Sequence, residues 1–221
     1  MVSGVRSAGA VNVIYGGPGG LSAPGNQIWH QDSPGIRDRA HPGDRFGTSL
    51  TTGDFDGDGF EDLAVAAPME DIKGRANAGM VNVIYGSPLG LTSEGNQSWH
   101  QDRPGILDQA EVLDRFGWTL SAGDFDGDGH DDLAAASPFE DVNGMRDAGA
   151  VNVIYGSPEG LTAAGSQFWH QDSPGILDQA EAIDLFARAL AVGDFDGDGL
   201  DDLAVSAPYE DYNDQRDGGS M

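Results

Sequence analysis

Val11-Asn12-Val13-Ile14-Tyr15-Gly16 recurs letter for letter as Val81-Asn82-Val83-Ile84-Tyr85-Gly86 and as Val151-Asn152-Val153-Ile154-Tyr155-Gly156, 70 residues apart each time. Two other segments keep that interval. Trp-His-Gln-Asp starts at Trp29, Trp99 and Trp169, and Asp-Phe-Asp-Gly-Asp-Gly at Asp54, Asp124 and Asp194. A period that never drifts is the mark of repeat architecture, one supersecondary unit stacked against copies of itself. Three such units account for 210 of the 221 residues.

Composition agrees with a β-rich reading. Only 38% of residues are hydrophobic, beside 34 glycines and 11 prolines, a mixture that suits short strands and tight turns better than helices. A net charge of −26 raises disorder as a competitor. The apolar residues nevertheless come in dense runs such as 81–85, so the chain is globular. With 37 acidic residues against 11 basic ones, the surface repels polyanions. Nucleic acid and anionic membranes are poor partners and cations are natural ones. Solubility or tolerance of salt is the plainer reading of the acid. With no cysteine there is no disulfide, thiol nucleophile or zinc–thiolate site. No run approaches the roughly 18 apolar residues that span a bilayer, so membrane insertion is not expected. Met1-Val2-Ser3-Gly4 lacks a basic-then-apolar leader, which leaves a cytosolic protein or one that begins after a removed signal.

Each unit reads as four strands. In the second they are Phe46 to Thr51, with Phe46 and Leu50 on one face; Leu63 to Ala67, stopped by Pro68; Met80 to Tyr85; and Gln97 to Gln101, carrying Trp99. Leu107 to Leu113 is expected to form at most one helical turn. Gly16-Gly17-Pro18-Gly19-Gly20 leads to no helix and carries no Lys-Ser/Thr, so it reads as a turn rather than a phosphate loop. Four antiparallel strands per repeat, with small residues where sheets crowd together, predict an all-β propeller.

The residues also match a family. Phe46-Gly47, the aspartate loop and Ala66-Ala67-Pro68 resemble the FG-GAP repeat of integrin α-subunit propellers, and Phe116-Gly117 with Ala136-Ser137-Pro138 repeats the pattern. The third unit departs, with Ala187 in place of the motif glycine, which predicts altered packing there. The expected layout over 1–221 is a single propeller-forming domain of three blade equivalents, split at its ends. Residues 11–32 are a half-blade (strands three and four), 46–102 and 116–172 complete blades, and 186–208 a half-blade (strands one and two). Three blades fall short of the usual four to eight. Two chains exchanging half-blades as a homodimer would make a six-bladed ring; a piece of a longer propeller is the alternative.

The aspartate loops point to a metal. Asp54, Asp56, Asp58 and Asp62 supply carboxylates at positions 1, 3, 5 and 9, and Phe60 at position 7 offers its backbone carbonyl. Hard, all-oxygen, anionic sets of this kind suit Ca²⁺ better than Mg²⁺. An EF-hand would need a glutamate at position 12, where Val65, Ala135 and Val205 stand, so that reading fails. The hairpin calcium loop of integrin-type blades keeps the remaining pattern. Carried over, the second loop is Asp124, Asp126, Asp128, the His130 carbonyl and Asp132. The third is Asp194, Asp196, Asp198, the Leu200 carbonyl and Asp202, giving three Ca²⁺ per chain. Glu61, Asp131 and Asp201 at position 8 are expected to face solvent.

Other chemistry is weaker. His30, His100 and His170 adjoin a tryptophan, and Ser33 and Ser173 follow. The second unit has Arg103 instead, and neighbours in sequence do not make a triad. Trp29, Trp99 and Trp169 are read as core, with sugar stacking as the alternative. No enzyme is expected. The loops 33–44, 103–114, 69–78 and 139–148 are candidates for a protein or glycan ligand, or plain connectors. The resemblance implies a calcium-binding scaffold or adhesion module, extracellular or at the cell surface. A propeller lectin, or a fragment or engineered piece of a longer repeat protein, are the alternatives.

Overall fold

A computed structural model describes residues 4–211, so the ends of the expected 1–221 domain lie outside the described residues. It contains twelve strands: β1 (Val11–Gly17), β2 (Gly20–Trp29), β3 (Leu50–Gly53), β4 (Asp62–Ala67), β5 (Met80–Tyr85), β6 (Thr92–Trp99), β7 (Leu120–Gly123), β8 (Asp132–Ser137), β9 (Ala150–Tyr155), β10 (Thr162–Trp169), β11 (Leu190–Gly193) and β12 (Asp202–Val205). They form four antiparallel sheets, two complete meanders β3-β4-β5-β6 and β7-β8-β9-β10 flanked by the pairs β1-β2 and β11-β12. These are propeller blades. Among the described residues they do not close into a ring, since β1 and β12 each pair on one side only.

The cores lie between sheets rather than within them, because successive strand residues point to opposite faces. From β4, Leu63, Val65 and Ala67 pack against Val11, Trp29 and Phe46 of the preceding layer. Ala64 and Ala66 point the other way, into a cluster with Phe116, Leu120 and Leu133 of the following blade. Buried on both faces, β4 cannot alternate with polar residues and reads as a continuous apolar run.

Several element boundaries differ from those expected. Phe46 does not open β3: it forms an isolated bridge with Gly9 of the preceding repeat, and Gly47 (φ +92°) then turns the chain. The turn separates the faces, leaving Phe46 buried and Leu50 47% exposed. The fourth strand ends at Trp99 rather than Gln101, because Arg103 N–H closes a turn on the His100 carbonyl (3.0 Å). Residues 107–113 form no helical turn; Asp108 (φ +102°) and Leu113 (φ +79°) have left-handed backbones that a right-handed helix cannot contain. The glycine-rich stretch is a hairpin turn as expected, with Gly17 paired to Gly20.

The Phe-Gly pair is the seam between blades. Phe116 N–H donates back to the Ala78 carbonyl (2.8 Å), while Gly117 N–H donates to Ala136 of its own blade (2.9 Å). A Cβ on Gly79 would lie 2.4 Å from the Phe116 carbonyl oxygen, so only glycine permits this approach. A Cβ on Gly117 would sit 2.7 Å from Val81 Cγ2. Ala187 occupies the corresponding place at φ +66°, fully buried beside Val151 and Ala136. An L-residue there costs about 1–2 kcal/mol. Ala187→Gly is therefore expected to raise unfolding stability by about 1 kcal/mol, read by urea denaturation; a lower midpoint would show that the methyl's packing outweighs its strain.

Candidate metal centre

The three acidic hairpins join β3 to β4, β7 to β8 and β11 to β12, all at one end of the sheets. Each is organised by aspartate side chains accepting backbone N–H groups, so the loop wraps around its own carboxylates. Asp54 accepts from Asp58 N–H (3.0 Å) and Gly59 N–H (2.9 Å), Asp56 from Asp58 N–H (3.2 Å), and Asp58 from Phe60 N–H (2.9 Å). The second and third hairpins repeat the set on Asp124, Asp126 and Asp128 and on Asp194, Asp196 and Asp198. Gly57 (φ +68°) and Gly59 (φ +90°) allow the wrap.

Asp62 and Asp132 are the anchors. Asp62 is 1% exposed and accepts Phe55 N–H (2.9 Å) on one oxygen and Gly86 N–H (2.8 Å) on the other, tying the hairpin to the β5–β6 turn. Asp132 does the same for Phe125 and Gly156, at 2.9 and 2.8 Å. Burial pushes both carboxyls up to about 7, against the opposing pull of these N–H groups. Burial and the neighbouring Asp58 raise Asp56 as well.

Carboxylate oxygens converge in every hairpin, within 4.8 Å of one another. The closest sets are Asp54, Asp56 and Asp58; Asp124, Asp126 and Asp132; and Asp194, Asp196 and Asp202. The carbonyls of Phe60, His130 and Leu200 belong to the same turns. This donor set is all oxygen and strongly anionic, which fits a hard divalent cation.

Position 8 needs a correction. Glu61 is exposed, but Asp131 and Asp201 do not face solvent freely. Asp131 accepts Asp54 N–H (2.9 Å) and its own N–H donates to the Asp54 carbonyl (3.0 Å). Asp201 bonds Asp124 in the same two ways, at 3.2 and 3.1 Å. Each hairpin thus braces the one before it. The His130 ring also lies on Gly57, where a Cβ would be 2.8 Å from it. Burial raises the Asp131 carboxyl.

The histidine–serine neighbours form no triad. Ser33 and Ser173 accept the backbone N–H of His30 and His170 (2.9 and 3.0 Å), not a ring nitrogen. Trp99 is 1% exposed, with the Arg103 guanidinium 3.8 Å above its ring, and so offers no face to a sugar. Its Nε1 donates to Gln97 Oε1 (3.0 Å), and Gln97 Nε2 donates onward to the Leu161 carbonyl of the next blade (3.1 Å). The Gln97 and Gln27 links, and the equally recurrent Gln31–Glu70 and Gln101–Glu140 pairs, were not singled out from sequence. Their recurrence at the 70-residue interval was the signal available.

The FG-GAP repeat family pattern matches residues 46–84, 116–154 and 186–220. The chain belongs to the FG-GAP repeat family. Integrin alpha-PS2 of Drosophila melanogaster is 35% identical over 175 residues, 76% of this chain and 12% of the relative. Phosphatidylinositol-glycan-specific phospholipase D of Rattus norvegicus is 33% identical over 166 residues, and the human protein of the same name 31% over 168, each covering 75% of this FG-GAP chain. The chain spans 19% of the length of both phospholipases.

Because both oxygens of Asp132 hold N–H donors, Asp132→Asn turns an NH₂ against one of them. In calcium-free buffer this is expected to cost about 1–3 kcal/mol, whereas Asp126→Asn, on the exposed rim, costs under about 1 kcal/mol. Chemical denaturation in EGTA compares them; equal midpoints would remove the anchoring role.

Proposed function

We propose that the chain is a calcium-binding, non-catalytic propeller module serving adhesion or scaffolding in an extracellular or cell-surface protein. The observation that carries this reading is the hairpin itself, three times over. The same carboxylates converge, held by the same N–H groups, at the same end of every sheet. One Ca²⁺ per hairpin would be held by Asp54, Asp56, Asp58, Asp62 and the Phe60 carbonyl, and by the counterparts in the other two loops. Its charge would offset the repulsion among them. The position 8 braces would pass that order from hairpin to hairpin.

The non-catalytic reading is supported by what the relatives have in common. A segment that matches both an integrin α chain and a phospholipase D is better suited to a shared scaffold than to the chemistry named in one of them. Among the described residues no helix is long and apolar enough to cross a membrane.

The module is also proposed to self-assemble. Ile14 on β1 is 51% exposed, while Ile84 and Ile154, at the same place in complete blades, are 0% exposed. In those blades Ile84 faces Leu63 and Ile154 faces Leu133 across the second and third strands. The free edge of β12 offers Leu203 in that register, so β12 of one chain fits β1 of another. Two chains joined both ways complete six blades. A two-fold closed ring removes both open edges, which an isolated chain would leave as sites for indiscriminate pairing.

Two measurements test the reading. Removing bound metal with EGTA is expected to lower Tm by several degrees, and returning Ca²⁺ to restore it; a Tm indifferent to Ca²⁺ after verified metal removal contradicts the calcium role. Light scattering in calcium buffer is expected to give about 46 kDa, twice the 23.1 kDa chain. A 23.1 kDa species at micromolar concentration contradicts the exchange and leaves the metal question untouched.

A further inference from the structure

At the end of the sheets away from the hairpins, a second acidic constellation recurs where one blade hands over to the next. Gln101 leaves β6 and donates through Nε2 to Glu140 of the next blade (2.6 Å) and to Asp108 (3.2 Å). Glu111, Asp114 and Glu140 each bring an oxygen within 4.8 Å of the others. The preceding junction is built alike: Gln31 Nε2 meets Glu70 (2.7 Å) and Asp38 (2.9 Å), and His41, Asp44 and Glu70 converge. The His41 ring lies 3.6 Å from Glu70 and 3.9 Å from Asp44.

Acid alone would not make this a site. A second feature does: the amide of Gln101, a residue 1% exposed, sits against the cluster with a buried Oε1 that has no hydrogen-bond partner, and Gln31 repeats it. Orphaned buried acceptors cost about 1–3 kcal/mol each, yet this one recurs. Turning the amide over about its last torsion exchanges Nε2 for Oε1 and presents that oxygen to Glu140. Asp114 and Glu140 are 2% and 3% exposed, and no lysine or arginine pairs with them among the described residues. Burial and then neighbouring carboxylates drive Glu140 up to about 10 and Glu70 to about 9, a measure of how poorly the negative charge is compensated. Glu111 and His41 are exposed, so an ion has a way in.

We propose that each of these two junctions is a divalent-cation site separate from the hairpins, formed by Glu111, Asp114, Glu140 and Gln101 Oε1 at one and by His41, Asp44, Glu70 and Gln31 Oε1 at the other. An ion there would clamp the exit of one blade to the loop of the next. The all-oxygen junction suits Ca²⁺, and the imidazole of the other admits Mn²⁺ or Zn²⁺. The inference does not depend on the hairpin reading.

The test counts metal. Full-length chain, stripped and dialysed to saturation in Ca²⁺, is measured by elemental analysis beside Glu111→Gln, Glu140→Gln and the hairpin variant Asp126→Asn. Glu111→Gln and Glu140→Gln are each expected to lose one ion per chain, and the double variant Glu111→Gln/Asp126→Asn to lose two. Glu111 is exposed, so its variant reports even where Glu140→Gln folds poorly. Loss with Glu111→Gln but not with Asp126→Asn keeps the junction and sinks the hairpins. An unchanged count in folded Glu111→Gln overturns the junction site. Glu140→Gln melting above the wild type at an unchanged count overturns it too, by showing that Glu140 holds a proton instead.

Discussion

The structure depends on one close approach of backbone to backbone, the Phe-Gly pair lying against the preceding repeat. Phe46, Phe116 and Phe186 each donate an N–H backwards, to Ala8, Ala78 and Ala148 at 2.7–2.8 Å, and each buries its ring between sheets. The residue that follows donates forwards, into its own blade. Two adjacent peptide groups thus belong to two blades, and a glycine opposite, Gly9, Gly79 or Gly149, is needed to let them in. Every feature of the repeat that looks invariant by inspection of this chain is arranged around that contact: alanines on β4 and β8 where sheets press together, and a tryptophan closing each outer strand.

Blade contact then carries over to both ends of the sheets. At one end, Asp131 and Asp201 turn back to hold the first residue of the hairpin before them, so the acidic loops form a chain rather than three isolated turns. Between them, Tyr85 accepts Leu161 N–H from the next blade (3.3 Å) and Gln97 holds the Leu161 carbonyl, as Tyr15 and Gln27 do for Leu91. At the other end the Gln–Glu pairs join blade to blade. A cation bound in a hairpin would therefore act on the relation between blades as well as on its own loop.

Much of this was legible because the chain repeats itself. The 70-residue interval and the β-branched runs are enough to set strand number and order, and the alternating aspartates mark the loop. What could not be read depended on tertiary approach. Phe46 alternates with Leu50 as a strand should, but its backbone is claimed by Gly9, and Gly47 turns the chain before the strand begins. Asp131 and Glu61 share a position in sequence and part company in space, because Asp131 has a preceding hairpin to bond. Residues 107–113 carry apolar residues at a helical spacing but adopt left-handed backbones, a property of the packed loop rather than of its composition. The Gln–Glu pairs span 39 residues, beyond the reach of local pattern.

The central claim is that these hairpins hold calcium with the residues that organise them. Long-wavelength anomalous diffraction from crystals grown in calcium locates the ion directly. A peak ringed by Asp54, Asp56, Asp58, Asp62 and the Phe60 carbonyl, with oxygens at about 2.3–2.6 Å and its equivalents in the other two loops, is the predicted result. Hairpins free of anomalous signal at saturating calcium, their carboxylates bonded to N–H groups alone, would contradict it.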